Sequence, residues 1–379
     1  MKLSAIVAEY NPLHVGHLYH LEHARTLGDY TVVILAGNFV QRGEAAILDK
    51  YTRARHAVEA GADLVLELPT AYSISCAEQY ALGAVKLLSS LGQDVVLSFG
   101  SESGHILGIQ QTASLLLSPI DEIEEAISRK IAQGRSFPTA RAEAIEAYAK
   151  AHRIDIVDVT SPNNILGIEY ARANYMLGNP LSLDTIKRTF AYTDKEVSAS
   201  AVRTALALGE NPLGISDYAA KDIDRVHPQN GVLYLSAWRS MSKEDAARLV
   251  GADEGLQNRI WDRMRTATTL DEALANAATK RYTSARIRRL ATAGLLGLTQ
   301  DVWEEGITLP PYYSVLAIKE NRSELLSLLS KCGEVYVSHK DLSQSDHPFA
   351  RLDAKADDLF ELLRQVKMPT RFCTVKSSE

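Results

Sequence analysis

The chain has 379 residues, 46% of them hydrophobic and 23% charged, and a formal net charge of −6 at pH 7. This length allows two domains with separate cores. No run of about eighteen apolar residues occurs, which predicts no membrane span, and the negative charge argues weakly against a protein that coats nucleic acid. Its three cysteines are far apart and lack metal-ligand spacing, which predicts a protein of the reducing cytoplasm without a disulfide framework.

The first hundred residues alternate short runs rich in Val, Ile and Leu with amphipathic helical patterns. The runs lack a strict polar–apolar alternation, as is typical of parallel strands covered on both faces. The repetition of strand and helix therefore predicts an α/β fold with a Rossmann-like parallel sheet, whose ligands bind at the carboxyl ends of the strands. The predicted strands are 4–8, 31–36, 63–68 and 94–99, and the predicted helices lie near 16–27, 49–60 and 75–91.

Helical patterns dominate the rest of the chain. The run Thr160-Ser161-Pro162-Asn163-Asn164 is a helix-start signal, and a fifth strand is predicted over 181–186. Because Asn211-Pro212 interrupts the pattern, we divide the chain into a sheet domain, 1–212, and a mainly helical domain, 213–379. The second domain is expected to end in a small mixed α/β region.

The turn between the first strand and the first helix carries the most chemical information: Glu9-Tyr10-Asn11-Pro12-Leu13-His14-Val15-Gly16-His17. His14 and His17 are three residues apart, so on a first helical turn their side chains project to the same side. A helix N-terminus attracts phosphate, and two imidazoles can donate hydrogen bonds to an α-phosphoryl group as charge builds up in adenylyl transfer. The pattern therefore predicts an ATP site with His14 and His17 as catalytic residues. The alternatives are a surface turn with incidental histidines and a zinc site, for which no third ligand lies at a familiar spacing.

Besides this turn, four segments are distinctive: Gly37-Asn38-Phe39-Val40-Gln41-Arg42-Gly43-Glu44, Phe99-Gly100-Ser101-Glu102, Pro162-Asn163-Asn164-Ile165-Leu166-Gly167 and the basic stretch 280–289. The run His14-Val15-Gly16-His17 resembles the His-x-Gly-His signature of the nucleotidyltransferase superfamily. Together with Ile6-Val7-Ala8-Glu9-Tyr10-Asn11-Pro12, the ordered set resembles the bacterial tRNA(Met) cytidine acetate ligases over most of the chain. The resemblance implies a ligase that activates acetate with ATP as acetyl-adenylate. It would then acetylate the wobble cytidine of elongator tRNA(Met), forming N(4)-acetylcytidine.

The resemblance also implies which residues bind ATP. Gly100 ends the fourth predicted strand, where a missing side chain lets the backbone approach a base or simply forms a tight turn. One of the tandem asparagines can cap a helix while the other reads the nucleotide; the resemblance assigns the ATP contact to Asn163 and leaves Asn164 as an alternative. Arg188 would neutralise phosphate charge. The implied ATP-binding residues are Val7, Ala8, Glu9, Tyr10, Asn11, Pro12, Leu13, His14, Val15, Gly16, His17, Leu18, Tyr19, His20, Gly100, Asn163 and Arg188.

Two further segments are candidates for phosphate or substrate contacts. Gln41 and Arg42 follow the second predicted strand, where a guanidinium can hold a phosphate or the acetate carboxylate by paired hydrogen bonds. A surface ion pair with the nearby acid is an equal alternative for that arginine. Ser198, Ser200 and Arg203 resemble the second signature of the superfamily, a Ser-rich helix start that suits the β- and γ-phosphates. An ordinary capped helix has the same pattern.

The basic stretch 280–289 holds five positive residues and no acid. Such a stripe can track a tRNA backbone while Tyr282 stacks on a base, whereas a solvated helix face is the ordinary explanation of a charge run. The resemblance favours tRNA contact. The candidate tRNA-binding residues are Lys280, Arg281, Arg286, Arg288 and Arg289.

Two other functions stay open at this point. A small-molecule nucleotidyltransferase would share the fold without needing a large basic second domain, and a non-catalytic nucleotide- and RNA-binding protein would not need both histidines. The expected substrates and partners are ATP, acetate and elongator tRNA(Met), with Mg²⁺ bridging the phosphates and no dedicated protein ligand for it. The sequence departs from the family at Leu13, Val15 and Thr193, where Phe, Asn and His are usual, so the acyl specificity stays open. It indicates neither a general base for acetyl transfer nor an oligomeric state.

Overall fold

A mostly parallel β-sheet lies at the centre of the computed structural model, which describes residues 1–135, 137–188, 199–210, 212–279 and 281–376. The strands are β1 (Lys2–Ala8), β2 (Tyr30–Ala36), β3 (Phe39–Val40), β4 (Glu44–Ala45), β5 (Leu64–Leu68), β6 (Asp94–Ser101), β7 (Ser182–Lys187), β8 (Tyr313–Lys319), β9 (Val335–Tyr336) and β10 (Cys373–Val375). The helices are α1 (Val15–Ala24), α2 (Lys50–Glu59), α3 (Thr70–Ser73), α4 (Ala77–Ser89), α5 (Ile106–Leu115), α6 (Asp121–Ala132), α7 (Phe137–His152), α8 (Pro162–Met176), α9 (Ala199–Ala207), α10 (Asp217–Ala220), α11 (Val232–Ser240), α12 (Lys243–Ala246), α13 (Leu256–Thr266), α14 (Leu270–Ala277), α15 (Ser284–Leu296), α16 (Gln300–Thr308), α17 (Ser323–Cys332), α18 (His339–Gln344) and α19 (Pro348–Arg364).

Within the described residues the sheet runs in the order β10-β8-β5-β2-β1-β6-β7, and β9 also pairs with β8. The five strands predicted from the sequence are confirmed as β1, β2, β5, β6 and β7. Successive residues of β2 point to opposite sides of the sheet, since Val32 and Ile34 belong to one buried cluster and Val33 and Leu35 to another. Apolar layers therefore cover both faces, which explains why the strand sequences do not alternate.

The sheet differs from the predicted parallel arrangement at one edge. β8 pairs with β5 in the antiparallel sense, with Leu64 opposite Ile318 and Val65 opposite Ala317, and β9 and β10 both pair with β8. These strands come from the segment assigned to the second domain, so the predicted mixed α/β terminal region is part of the central sheet. The pairing satisfies backbone groups of β5 that an open sheet edge would leave unpaired. A domain boundary near residue 212 stays a prediction; drawn there, it would separate β8, β9 and β10 from the strands with which they share the sheet.

Helices α10 to α16 make residues 217–308 mainly helical, as predicted. Trp238 of α11 is fully buried, and its Nε1 donates a hydrogen bond to the carbonyl oxygen of Ala291 in α15 (3.0 Å). Gly294 lies so close to the indole that a Cβ there would come within 2.4 Å of the ring. This close packing fixes the position of α15, which begins in the basic stretch. In the described part of the chain, no helix is both long and apolar enough to cross a membrane.

A buried charge network connects α19 to the first half of the chain. Lys50 Nζ lies 2.7 Å from Glu67 Oε2 and 2.8 Å from Asp357 Oδ2, and Asn38 Nδ2 donates a hydrogen bond to Asp357 Oδ1 (2.9 Å). Burial raises the pKa of Asp353 to about 8 and that of Asp357 to about 7, and the charge of Glu67 adds to both shifts. Because buried charges need partners, the network holds α19 against the loop that follows β2.

Candidate functional site

A cavity of about 320 Å³ opens at the carboxyl ends of β1, β6 and β7. Its wall combines the first turn, the loop after β2 and the N-terminal part of α8, at the edge of the sheet where α/β proteins bind ligands. The expected ATP-binding residues found in this wall are Val7, Ala8, Glu9, Tyr10, Asn11, His14, Gly16, His17, Tyr19, His20, Gly100, Asn163 and Arg188.

Four of the expected ATP-binding residues do not line the cavity: Pro12, Leu13, Val15 and Leu18. Leu13 is completely buried in an apolar cluster against which Leu18 packs, whereas Val15 is 38% exposed to solvent. Neighbouring side chains of the turn face different surroundings: the cavity, the apolar core or the solvent. A contiguous sequence range therefore contains residues that shape the site without facing a ligand.

The side chains of His14 and His17 together cap the N-terminus of α1. His14 Nδ1 accepts a hydrogen bond from the Gly16 N–H (3.1 Å), and His17 Nδ1 accepts one from the His14 N–H (3.3 Å). This is a capping box in which imidazoles replace the usual hydroxyl and carboxylate. Because each Nδ1 accepts, the hydrogen of each neutral ring lies on Nε2. The cap therefore leaves two imidazole N–H donors beside a helix N-terminus.

Both imidazoles are held in the neutral form. The rings stack with their centroids 3.6 Å apart. Burial lowers the pKa of His14 to about 4, with the charge of Arg188 adding to the shift. Burial and the neighbouring His14 hold the pKa of His17 well below its ordinary value. A bound phosphoryl group would bring opposite charge and favour the protonated rings, so these residues suit an anionic ligand in either form.

Glu9 is a buried carboxyl group in the same wall. Its Oε1 accepts a hydrogen bond from the Gln41 N–H (3.0 Å), which connects the first turn to the loop after β2. Burial raises the pKa of Glu9, while the Gln41 amide and the charges of Arg203, Arg53 and Arg42 oppose the shift. The cavity therefore contains one carboxyl group among several positive groups.

Glu102, rather than either asparagine, caps α8. Its Oε1 and Oε2 accept hydrogen bonds from the N–H groups of Asn163 (3.2 Å) and Asn164 (2.8 Å). Asn164 is buried and holds the turn after β6, because its Oδ1 accepts from the N–H groups of Glu102 and Ser103, both at 3.1 Å. Asn163 lines the cavity, where its Oδ1 accepts from Arg188 Nη1 (3.1 Å). Of the tandem pair, only Asn163 is placed to meet a ligand.

Gly100 lies inside β6 and pairs with Ile186 of β7, so the tight-turn alternative is wrong. A Cβ at this position would meet the Arg188 side chain at 3.4 Å, an ordinary contact distance. Packing within the protein therefore does not require glycine here. The glycine instead keeps the cavity wall flat at the end of the strand.

Gln41 and Arg42 line the cavity, as expected for substrate contacts. The alternative ion pair of Arg42 with Glu44 is not what the structure shows, because Glu44 pairs with Arg288 of α15. Arg42 lies in the cavity wall, where its long side chain can reach a ligand.

Gly43 brings the basic stretch next to this loop. Its φ is +73°, and a Cβ there would lie 2.4 Å from the backbone nitrogen of Arg289. Thr292 Oγ1 also donates a hydrogen bond to the Gly43 carbonyl (2.9 Å). Only glycine permits both the backbone conformation and this approach, so α15 and the cavity rim are in direct contact.

Arg53 shapes the site and was not predicted from the sequence. Its side chain is fully buried, and the guanidinium donates hydrogen bonds to the carbonyl oxygens of Glu9 (2.6 Å), Ala36 (3.0 Å) and Gly37. It thereby joins the carboxyl ends of β1 and β2. An arginine within an amphipathic helix ordinarily lies on the exposed face, so no local signal marked it. Glu102 belongs to one of the segments that carry the family resemblance. Only the hydrogen bonds of the folded chain show that it caps α8.

Two candidate residues, Ser198 and Lys280, lie outside the described part of the chain, as does the departure at Thr193. Ser200 is exposed in α9 and is not part of the cavity wall. Arg203 Nη1 donates a hydrogen bond to the Asn11 carbonyl (2.8 Å), so it contacts the backbone of the first turn. The phosphate contacts of this segment stay predictions.

Three arginines of the basic stretch pair with acids: Arg281, Arg286 and Arg288. Arg286 binds Asp253 and lies 3.1 Å from Glu254 Oε2, and Arg281 Nε lies 3.6 Å from the same carboxylate. The predicted stacking of Tyr282 on a base is wrong, because its ring is only 8% exposed and its hydroxyl donates to the Glu254 carbonyl (2.6 Å). The two guanidinium groups cover that ring at 5.5 and 5.3 Å from its centre.

Among the residues that the structure describes, no group of three or more His, Cys, Asp or Glu side chains is arranged to hold a metal. A divalent cation at this site would therefore depend on oxygen atoms of the ligand for most of its coordination.

Comparison with known proteins agrees with this architecture. Residues 1–372 match the family model described as HIGH Nucleotidyl Transferase. A tRNA(Met) cytidine acetate ligase of Thermosipho africanus is 34% identical over 353 residues, which cover 87% of this chain and 83% of that protein. A ligase of the same name from Clostridium acetobutylicum is 32% identical over 392 residues, which cover 97% of each. The crystal structure of Thermotoga maritima TmcAL bound with alpha-thio ATP is 29% identical, with a TM-score of 0.87 and full coverage of both chains.

Proposed function

Because this chain belongs to the tRNA(Met) cytidine acetate ligases of the HIGH nucleotidyl transferase family, we propose that it acetylates the wobble cytidine of elongator tRNA(Met) at the expense of ATP. The products are N(4)-acetylcytidine, AMP and diphosphate. The observation that carries the proposal is the capped first turn, where two neutral imidazoles present N–H donors at a helix N-terminus inside the cavity.

The first step joins acetate to ATP. A carboxylate oxygen of acetate attacks the α-phosphorus, and diphosphate leaves. Negative charge grows on the α-phosphoryl oxygens during this step, and the Nε2–H groups of His14 and His17 stabilise it together with the dipole of α1. Arg188 supplies a fixed positive charge to the same wall, and Arg42 is placed to hold the acetate carboxylate or a phosphate.

Gly100 and Asn163 are the proposed contacts of the adenosine part of ATP. Gly100 belongs to β6 and Asn163 to α8, and both residues line the cavity. A glycine in the strand leaves room for a flat base, and the asparagine offers amide groups for hydrogen bonds. The bound alpha-thio ATP of the Thermotoga maritima relative supports ATP as the nucleotide.

Mg²⁺ is proposed to enter with the ATP phosphates. The described residues offer no carboxylate cluster for it, and Mg²⁺ commonly binds through substrate phosphates and water with few protein ligands. It would neutralise charge on the leaving diphosphate.

The basic stretch is the proposed contact surface for tRNA. Arg281 of this stretch is exposed and Arg286, Arg288 and Arg289 are partly buried. The backbone of Arg288 and Arg289 contacts the loop that carries Gln41 and Arg42. A tRNA backbone held by this stretch would therefore pass beside the cavity rim. A tRNA substrate places the reaction in the cytoplasm.

The proposal is tested by incubating the protein with ATP, labelled acetate and purified tRNA(Met). We expect label in the RNA and acetate-dependent exchange of diphosphate into ATP. A tRNA(Met) with uridine at the wobble position is the matched control, because it lacks the amine and should take up no label. Exchange without label in any RNA would favour a small-molecule acceptor. The absence of both signals would favour a protein that binds nucleotide and RNA without catalysis.

A further inference from the structure

Helix α1 and its cap carry four of the ten histidines of the chain at intervals of three residues: His14, His17, His20 and His23. On a helix each of these residues is a surface neighbour of the next. The first two form the cap described above. His20 and His23 follow on the next turns of the helix, and neither has a chemical role in the adenylylation step proposed above.

His20 begins a hydrogen-bonded chain that runs from the cavity wall to solvent. Its Nε2 lies 3.1 Å from Ser98 Oγ of β6, and Ser98 Oγ donates to Asp184 Oδ2 of β7 (2.9 Å). His23 Nε2 lies 2.9 Å from the same carboxylate oxygen. Ser98 is completely buried, whereas the side chains of Asp184 and His23 are 28% and 33% exposed. The chain therefore has an inner end at the cavity and an outer end in water.

The chemistry of these groups sets the directions of the hydrogen bonds. A carboxylate only accepts, so the Ser98 hydroxyl points to Asp184 and its oxygen accepts from His20 Nε2–H. The His20 ring then carries its lone pair on Nδ1. Burial lowers the pKa of His20 to about 4; the charges of His23 and Arg188 add to the shift, while Asp184 and Ser98 oppose it. The ring is thus neutral and can accept a proton.

Only the second half of the proposed reaction releases a proton. In the first step a carboxylate attacks and diphosphate leaves, so no N–H or O–H bond breaks. In the second step the exocyclic amine of cytidine becomes an amide and must lose one hydrogen. The sequence alone indicated no base for this step.

We propose, on the basis of the proposed function, that His20, Ser98 and Asp184 form a relay that carries this proton out of the cavity. As the amine nitrogen bonds to the acetyl carbon, the bond from that carbon to the phosphate oxygen breaks and its electron pair leaves on AMP. The amine proton passes to Nδ1 of His20, the Nε2 proton moves to Ser98, and the Ser98 hydroxyl proton moves to Asp184, which releases it to water. His23 is a positioning residue that holds the carboxylate by its own hydrogen bond.

Ser98→Ala and Asp184→Asn break this relay without removing a residue assigned to ATP. We expect acetate-dependent ATP–diphosphate exchange within about twofold of wild type in both variants. The single-turnover rate of acetyl transfer to tRNA(Met) should fall at least tenfold, since a positioned proton acceptor contributes about 10²–10⁴-fold.

Asp155→Asn is the matched control. Asp155 also binds a histidine, His105, through a 2.6 Å contact, but the pair is exposed and lies outside the cavity wall. We expect this variant to keep both rates. Equal losses of exchange and transfer in the Ser98 and Asp184 variants would mean that the chain only holds β6 and β7 in place, and would overturn the relay.

Unchanged transfer in both relay variants would also overturn the proposal. If Glu9→Gln then lost transfer but kept exchange, the buried carboxyl of Glu9 would be the proton acceptor instead. Failure of the proposed function can be distinguished from failure of the relay. If the proposed function is wrong, the wild-type protein itself will leave tRNA(Met) unlabelled.

Discussion

The histidine turn and the basic stretch are both proposed to bind phosphate groups, but their hydrogen-bond donors differ in the ligand-free protein. In the turn, His14 and His17 accept hydrogen bonds from backbone N–H groups, which orients the rings and leaves each Nε2–H available. In the stretch, Arg286 is bound by two acids and Arg288 by Glu44. One region is already in its binding arrangement, whereas the other must exchange ion pairs for phosphate contacts.

This difference matches the tasks of the two regions. Stabilising a transition state requires donors that do not reorganise as charge develops. Binding a long polyanion tolerates weaker and salt-dependent contacts, because many of them add together. Acids beside the arginines also reduce the attraction of the stretch for unrelated polyanions.

Removing a turn histidine should abolish most adenylylation without affecting tRNA binding. We expect His17→Ala to lower the rate of acetate-dependent ATP–diphosphate exchange by about 10²–10³-fold, as for loss of one preorganised donor. Its affinity for tRNA(Met), measured by filter binding, should stay within about twofold of wild type. His152→Ala at the exposed end of α7 is the control. Full exchange in the His17→Ala variant would contradict the role assigned to the turn.

The turn should depend on the buried Arg53 for its position. Arg53→Met leaves four backbone carbonyl groups without this donor, so we expect the free energy of unfolding in urea to fall by about 3 kcal/mol. The control is Arg55→Met two residues along the same helix, where a partly exposed ion pair with Asp222 is lost and about 1 kcal/mol is expected. Equal losses of unfolding free energy in the two variants would show that the hydrogen bonds from Arg53 to carbonyl groups stabilise the fold no more than the partly exposed ion pair does.

The acids that pair with the basic stretch should weaken tRNA binding. We expect Arg286→Ala to lower the affinity for tRNA(Met) and to reduce the slope of log affinity against log salt by about 0.7–0.9, the value for one phosphate contact. Asp253→Asn should raise the affinity about twofold to fivefold, because it releases the same arginine. Asp271→Asn, at the start of α14, tests for a general effect of charge. An unchanged salt slope in the Arg286→Ala variant would remove this residue from the tRNA surface.

The histidines of the turn should stay neutral at mildly acidic pH. Since the pKa of His14 and that of His20 lie at about 4 and that of His17 is also lowered, all three should be uncharged at pH 5.5. An unperturbed histidine would then be about nine-tenths protonated. Carbon-13 shifts of the imidazole Cε1 atoms in the ligand-free protein would detect this. In the unfolded chain the same rings protonate near pH 6.5, so their contribution to stability is present above that pH and is lost as the pH falls toward 4.

The sheet and the turn could be predicted because their signals are local. β1, β2, β5 and β6 are apolar runs of strand length, and the histidine turn reads as a helix start within a few residues. Glu102 and Arg53 could not be predicted in the same way. Each acts on backbone groups that are distant in the sequence, and in its own segment each resembles an ordinary surface charge.

The α/β class, a site at the end of β1 and the residue types that can meet a phosphate can all be inferred from the amino-acid sequence. These properties depend on periodicity and on spacing within one turn of helix. Three other features appear only in the folded chain: β8 pairs beside β5, Asn163 rather than Asn164 faces the cavity, and Ser98 connects His20 to Asp184. Such pairings join residues tens to hundreds of positions apart, and their geometry is set by packing rather than by any local pattern.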